Sequence, residues 1–198
     1  MYPKTITNLI ECFKKLPGVG EKSAERMALS CLNLDEETIK LFKTSLENSE
    51  IKIKTCQRCG NLSEEDECPI CQNTNRDKTT LCIVEESKNI VLFEKMGSFN
   101  GRYHVLGGLI SPLDGINPED ININSLINRI EEEKIKEIIL AVKPTIEGET
   151  TALYIKKMLE DKDVKITKIA HGIPMGADID YIDPLTLEIA LEGRSQIS

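Results

Sequence analysis

Tryptophan is absent from the 198-residue sequence, and aromatic residues make up only 4% of it. The few tyrosines and phenylalanines, Tyr103 among them, are too scattered to form a platform on which unpaired bases could stack. Histidine is nearly absent too: His104 falls inside a strand pattern, His171 opens a turn, and neither stands near a nucleophile pattern, so both read as structural. No run of 18 apolar residues occurs, which removes a membrane-spanning helix, and the opening MYPKTITNLIE lacks the basic and apolar stretches of a secretory signal. The expectation is a cytoplasmic protein with no membrane partner. Internal repeats and low-complexity segments are also missing. Positive charge is scarce, with 25 Lys and Arg against 33 Asp and Glu, and a net charge of −8 argues against indiscriminate binding to nucleic acid. The shortage is uneven. Residues 1–60 carry ten basic and eight acidic side chains, whereas residues 61–198 carry fifteen and twenty-five.

Seven cysteines are present, and four of them, Cys56, Cys59, Cys68 and Cys71, form a C-x₂-C-x₈-C-x₂-C cluster. Two C-x-x-C turns can each close around one ion, which is what a tetrahedral Zn²⁺ site requires, so one Zn²⁺ per chain is expected. Cys12, Cys31 and Cys82 stand singly within apolar patterns and read as small hydrophobes. A disulfide framework does not suit the expected compartment. The eight residues between the two pairs are too few for a recognition helix, and five of them, Ser63, Glu64, Glu65, Asp66 and Glu67, form a polar run whose charges repel phosphate. The cluster therefore reads as a staple between the segments on either side. Arg58, inside the first cysteine turn, reads as solvated, with a phosphate contact as the alternative.

Ile6, Leu9, Ile10 and Phe13 have the spacing of one buried helical face, which returns in Ala24, Met27, Ala28 and Cys31 after a break at Pro17-Gly18-Val19-Gly20. The pattern predicts helix, glycine hairpin, helix. Asp35 reads as the N-cap of a third helix with Glu36 and Glu37 in its first turn and Ile39, Phe42 and Leu46 as its apolar face. In the hairpin, Gly18 and Gly20 can take backbone angles closed to other residues and leave amides uncovered at a helix start, where an anion is favoured. Lys22 and Arg26 share a helix face beside those amides and would neutralise phosphate. A tight turn with two solvated cations is the plainer alternative. The pattern closely resembles the helix-hairpin-helix motif, which binds the DNA backbone without reading sequence.

Beyond the cysteines, short apolar runs alternate with helical patterns. Strands are predicted at Leu81–Val84, Tyr103–Leu106, Ile138–Val142 and Val164–Ile169, with helices over Ile90–Met96, from Pro118 with Asn117 as its cap, and over Thr151–Leu159. A final helix is capped by Asp183, has Pro184 at its first position and ends at Gly193. Such alternation gives a parallel sheet covered on both faces. Sites in such sheets lie beyond the carboxyl ends of strands, where Glu85, Glu147 and Glu149 are expected to gather. These acids could hold Mg²⁺, or they could be solvated, with Glu149 favouring a helix N-terminus.

The segments CIVEE, YHVLGG, LISPLDGI, PTIEGETTA, IAHGIP and GADIDYIDPLTLEIALEGR, with the hairpin and the cysteine cluster, resemble the bacterial RecR recombination mediators over essentially the whole chain. The resemblance implies an α/β Toprim domain, a Rossmann-like parallel sheet, with an N-terminal helical helix-hairpin-helix domain and a small four-cysteine zinc module. The expected boundaries are 1–54 for the helical domain, 55–77 for the zinc finger, 78–172 for Toprim and 173–198 for a C-terminal segment. It further implies a ring-like homo-tetramer with DNA through its opening, acting at the bacterial nucleoid with RecO, and with RecF in some cases, to load recombinase on gapped or single-stranded DNA. In catalytic Toprim relatives a strand-end acid, matching Glu85, works with an Asp-x-Asp whose positions here are Lys143 and Thr145. A lysine there would repel a metal ion, so no catalytic residue is expected, and Lys143, where the family usually has Asn, is expected either to pair with Glu85 or Glu147 or to point to solvent. The alternatives are a Toprim-type Mg²⁺-dependent nuclease or primase-like phosphoryl transferase, and an adaptor that does not touch DNA.

Overall fold

The computed structural model describes residues 2–194, and the chain falls into two units, one ending at Ile53 and the other starting at Lys54. In the first unit, helices α1 (Lys4–Lys14) and α2 (Glu21–Cys31) lie against each other around Ile6, Ile10, Ala24 and Ala28, with Leu9, Phe13, Val19 and Leu29 at the margin. The two alanines are fully buried, and their small side chains let the helix backbones approach closely. Cys12 departs from expectation: it is exposed, because it lies two positions after Ile10 and so about half a turn around the helix from the buried stripe. Helix α3 (Glu36–Lys52) starts as expected, with the Asp35 carboxylate accepting from the Thr38 N–H at 2.7 Å. Its apolar face does not behave as expected. Ile39, Phe42 and Leu46 are all exposed, and α3 buries none of its described residues.

The second unit opens with the zinc module, a short antiparallel pair of β1 (Lys54–Thr55) and β2 (Leu62–Ser63) followed by the single turn of α4 (Pro69–Gln72). Strands β3 (Thr80–Val84), β4 (Arg102–Val105), β5 (Glu137–Ala141) and β6 (Lys165–Lys168) then form one parallel sheet in the order β4-β3-β5-β6. Leu81 and Ile83 of the central β3 face a core shared with α6 (Ile123–Glu133) and α7 (Ile146–Met158). Cys82 and Val84, alternating to the other side, meet Ile90 of α5 (Ser87–Met96) and Tyr103 and Val105 of β4. The sheet is thus buried on both faces, as the apolar runs of its strands require. After β6 come a 3-10 turn and α8 (Pro184–Glu192), whose cap Asp183 accepts from the Thr186 N–H at 2.9 Å. No helix among the described residues is long and apolar enough to cross a membrane.

Three helix starts differ from the expected ones, and the first is α5, which begins at Ser87 rather than Ile90 because Glu86 and Asn89 close a capping box ahead of it. Asn117 and Pro118 open only a 3-10 turn, Pro118–Asp120; Ile121 then turns extended and buried, and α6 begins afresh at Ile123. In the other direction, the helix expected from Thr151 begins at Ile146, because Thr145 acts as N-cap and its hydroxyl accepts from the Gly148 N–H at 3.3 Å.

Candidate nucleic-acid interface and metal centre

The hairpin between α1 and α2 takes its shape from Gly18, whose φ of +79° lies in the left-handed region that disfavours other residues. Gly20 contributes differently from expectation. It is the N-cap of α2 in extended conformation, φ −81° and ψ 172°, which any residue adopts; what glycine supplies there is open space, with nothing within 4 Å of where a Cβ would sit. Because glycine has no side chain to cap with, the first amides of α2 keep their N–H groups free for an anion, at the positive end of the helix dipole. Lys22 and Arg26, both exposed one turn apart, form no ion pair among the described residues and line a shallow depression of about 330 Å³ with Glu25 and Leu29. The Glu21 carboxylate beside them is bound by Lys14 at 2.7 Å, which offsets its repulsion of an anion.

The four clustered cysteines are all buried, and their sulfurs lie within 4.8 Å of one another. A tetrahedron of thiolates around zinc at about 2.3 Å per bond has neighbouring sulfurs roughly 3.8 Å apart, and the Cys59 and Cys68 sulfurs are separated by 3.5 Å. The chain closes the first turn with the Gly60 N–H on the Cys56 carbonyl at 2.9 Å and the Cys56 N–H on the Asn61 carbonyl at 2.7 Å. The Cys68 N–H points at the Cys56 sulfur at 3.2 Å, a contact that stabilises a thiolate. This donor set fits one Zn²⁺. All four side chains would be ligands, leaving no open coordination position, so the role of the ion is structural.

The acids at the carboxyl edge of the parallel sheet behave differently. Lys143 Nζ donates to Glu85 at 2.9 Å, and that bond holds the lysine pKa above its usual value. Lys168 binds Glu149 at 3.0 Å. Glu147 is held below the usual carboxylate range by its own backbone N–H and then by the Thr145 hydroxyl. Among the described residues, the four cysteines are the only group of three or more His, Cys, Asp or Glu whose donor atoms converge. The expected gathering of Glu85, Glu147 and Glu149 is therefore not formed: two of the three acids are drawn to separate lysines.

Four family models match the chain in order. The RecR helix-hairpin-helix model covers residues 6–49, the RecR four-cysteine zinc finger domain 53–73, a Toprim domain 79–170, and the RecR C-terminal model 172–195. The chain belongs to the RecR family. A role in DNA repair and recombination, with binding to DNA, goes with RecR domains, as does the four-cysteine zinc site, and RecR is not known as a family of enzymes.

The joint between the zinc module and the Toprim domain of this RecR chain is not visible in its sequence. Arg58 is neither solvated nor free for phosphate: its Nε donates to Glu133 at 2.8 Å and its Nη1 reaches Glu67 at 3.4 Å. Glu133 also accepts from Arg129 at 2.7 Å and from Arg102 at 3.2 Å, so three guanidinium groups share one carboxylate. Burial lifts the Glu133 pKa, but the bonds from Arg58 and Arg129 prevail and hold it below the usual range. The i, i+4 spacing of Arg129 and Glu133 was a visible signal, whereas nothing in the sequence joins Arg58 or Arg102 to them. Backbone bonds complete the joint, with the Val105 N–H donating to the Cys59 carbonyl at 2.7 Å, and Ile70 of α4 packs against both the cysteines and the β3-β4 core.

Proposed function

We propose that the protein is a non-catalytic recombination mediator, a ring-like homo-tetrameric clamp that holds DNA by its backbone and acts with RecO, and with RecF in some settings, to load recombinase on gapped or single-stranded DNA. The observation that carries the DNA contact is the hairpin: free amides at the start of α2, open space over Gly18 and Gly20, and two cations, Lys22 and Arg26, one turn apart and without an ion pair among the described residues. The tetramer and the partners rest on the family resemblance. Charge favours assembly, because a mildly basic segment on an acidic chain binds phosphate weakly as a single copy, whereas several copies facing one opening raise effective concentration. The Toprim edge with Glu85, Glu147 and Glu149 serves partner contact.

Fluorescence anisotropy of labelled single-stranded DNA against NaCl tests the contact. Affinity should fall steeply with salt, and the Lys22→Ala/Arg26→Ala variant should bind more weakly, with its log–log slope shallower by about 1.4 for two lost phosphate contacts. Salt-independent binding would remove the DNA reading. The enzymatic alternative is disfavoured by Lys143 and Thr145 at the metal-binding positions, with Lys143 acting as a built-in cation for Glu85. Calorimetric titration with Mg²⁺ should accordingly give no saturable heat for the native chain and a measurable one for Lys143→Asn; identical behaviour of the two would sink the substitution of lysine for metal. Cleavage of gapped DNA that depends on Mg²⁺ would reinstate the enzyme.

A further inference from the structure

We propose that the outer edge of β6, with the groove beside it, binds an extended, acid-flanked segment of a partner protein as a fifth strand of the Toprim sheet. β6 ends the sheet order, and the N–H groups of Lys165 and Ile169 turn inward to the carbonyls of Lys136 and Leu140, at 2.8 and 3.1 Å. Strand alternation then directs the N–H and C=O of Ile166 and Lys168 outward, where they have no backbone partner among the described residues. The opposite edge differs: β4 is buried along its whole length, and the zinc module bonds to Val105 just where the strand ends.

Beside the open edge runs a groove of about 580 Å³ between β6 and α7, with Leu153, Val164 and Ile166 on its floor. Leu153 is 63% exposed, an uncovered apolar side chain where an incoming strand would lay its own. Three lysines, Lys156, Lys157 and Lys162, line the groove against one carboxylate, Glu160. Lys162 is engaged with Glu131 at 2.5 Å, but Lys156 and Lys157 form no ion pair among the described residues. This combination matches strand addition, in which main-chain bonds supply affinity and flanking pockets and charges supply selection. It also disfavours the β6 of a second copy as the occupant. Pairing β6 with another β6 would bring Lys165 and Lys168 against the same two lysines, and like charges facing each other across strands are destabilising, an effect that Glu137 and Glu149, bound to them at 3.1 and 3.0 Å, offset only in part.

The test uses the full zinc-loaded chain and a fluorescein-labelled peptide, Glu-Glu-Val-Thr-Val-Thr-Val-Glu-Glu, followed by anisotropy. The peptide should bind at least tenfold more tightly than a control with lysine for each glutamate, and at least tenfold more tightly than a version N-methylated at alternate residues. Lys156→Gln/Lys157→Gln, two exposed positions, should weaken it about tenfold. Lys168→Pro, which removes an outward N–H that serves no ladder bond, should abolish binding, while Lys168→Ala should retain most of it. Equal binding of the N-methylated peptide would overturn strand addition. So would failure of the acidic peptide to bind, or a drop in solution mass in Lys168→Pro but not Lys168→Ala, which would make a second copy the occupant. None of these substitutions touches the hairpin, so failure here leaves the DNA contact standing.

Discussion

Two titratable groups next to the joint, the buried His104 and the partly buried Glu133, both make the Toprim domain sensitive to acid, through opposite chemistry. His104 Nε2 lies 2.9 Å from the Asn122 carbonyl, which can only accept, so that nitrogen carries the proton in the neutral ring. Burial, opposed by that bond, lowers the imidazole pKa to about 4. The folded state therefore resists protonation that the unfolded chain accepts from about pH 6.5 downward. Stability is fully present above that value, is lost progressively as pH falls to about 4, and changes no further below it on account of this group. The loss is on the order of 3 kcal/mol. The Glu133 contribution sits lower: its depressed pKa adds stability above the unfolded value near pH 4.3, lost only as pH falls beneath it. Urea unfolding between pH 7.5 and 4.5 should thus show a declining midpoint, and His104→Gln should flatten most of that decline. An equal decline in the variant would assign the sensitivity elsewhere.

At the scale of elements, the zinc module is held to the sheet at one close approach. Gly60 has φ +76°, and a Cβ there would come 3.0 Å from the Val105 carbonyl oxygen and 3.2 Å from the Val105 Cβ. Gly60→Ala adds left-handed strain to a contact with backbone that cannot move without breaking the Val105 to Cys59 bond. The expected cost is at least about 2 kcal/mol in denaturant unfolding at saturating zinc. A cost below about 0.5 kcal/mol would mean that the joint is soft. How legible such features were follows from their range. The α1 and α2 faces, the Asp35 and Asp183 caps, and the cysteine spacing are local patterns, and each could be read along the chain. The Arg58, Arg102, Arg129 and Glu133 cluster joins a zinc turn, a strand and a helix, so no short window contains it. The dispersal of Glu85, Glu147 and Glu149 was hidden for a related reason: Lys168, which draws off Glu149, lies on the next strand. Helix α3 shows the converse limit, since Ile39, Phe42 and Leu46 have the period of a buried face without its burial. Periodicity says which side chains could be covered, and a partner surface decides whether they are.

For the whole molecule, charge and apolar exposure argue in the same direction. The first 60 residues carry a net +2 and the remainder −10, so a single chain offers DNA one small cationic depression attached to a large repulsive body. Proximity of several hairpins changes that balance, since each bound phosphate makes the next contact intramolecular. α3 exposes a row of large apolar residues, and a patch of that kind marks an interaction surface. DNA affinity should therefore track assembly. If the proposed assembly exists, solution mass measured across a dilution series, alongside anisotropy on the same samples, should show affinity falling more than tenfold over the range where it dissociates. Zinc removal should act on the same assembly. Loss of the ion should free the Cys56–Cys71 turns, and stability or assembly should decline before the phosphate contact proposed for Lys22 and Arg26 does. A monomer at every concentration that still binds DNA tightly would undo the clamp while leaving the hairpin contact in place. A Cys68→Ser/Cys71→Ser variant that folds and assembles normally yet loses DNA would move the contact to the zinc module, against the repulsion expected from Glu64, Glu65, Asp66 and Glu67.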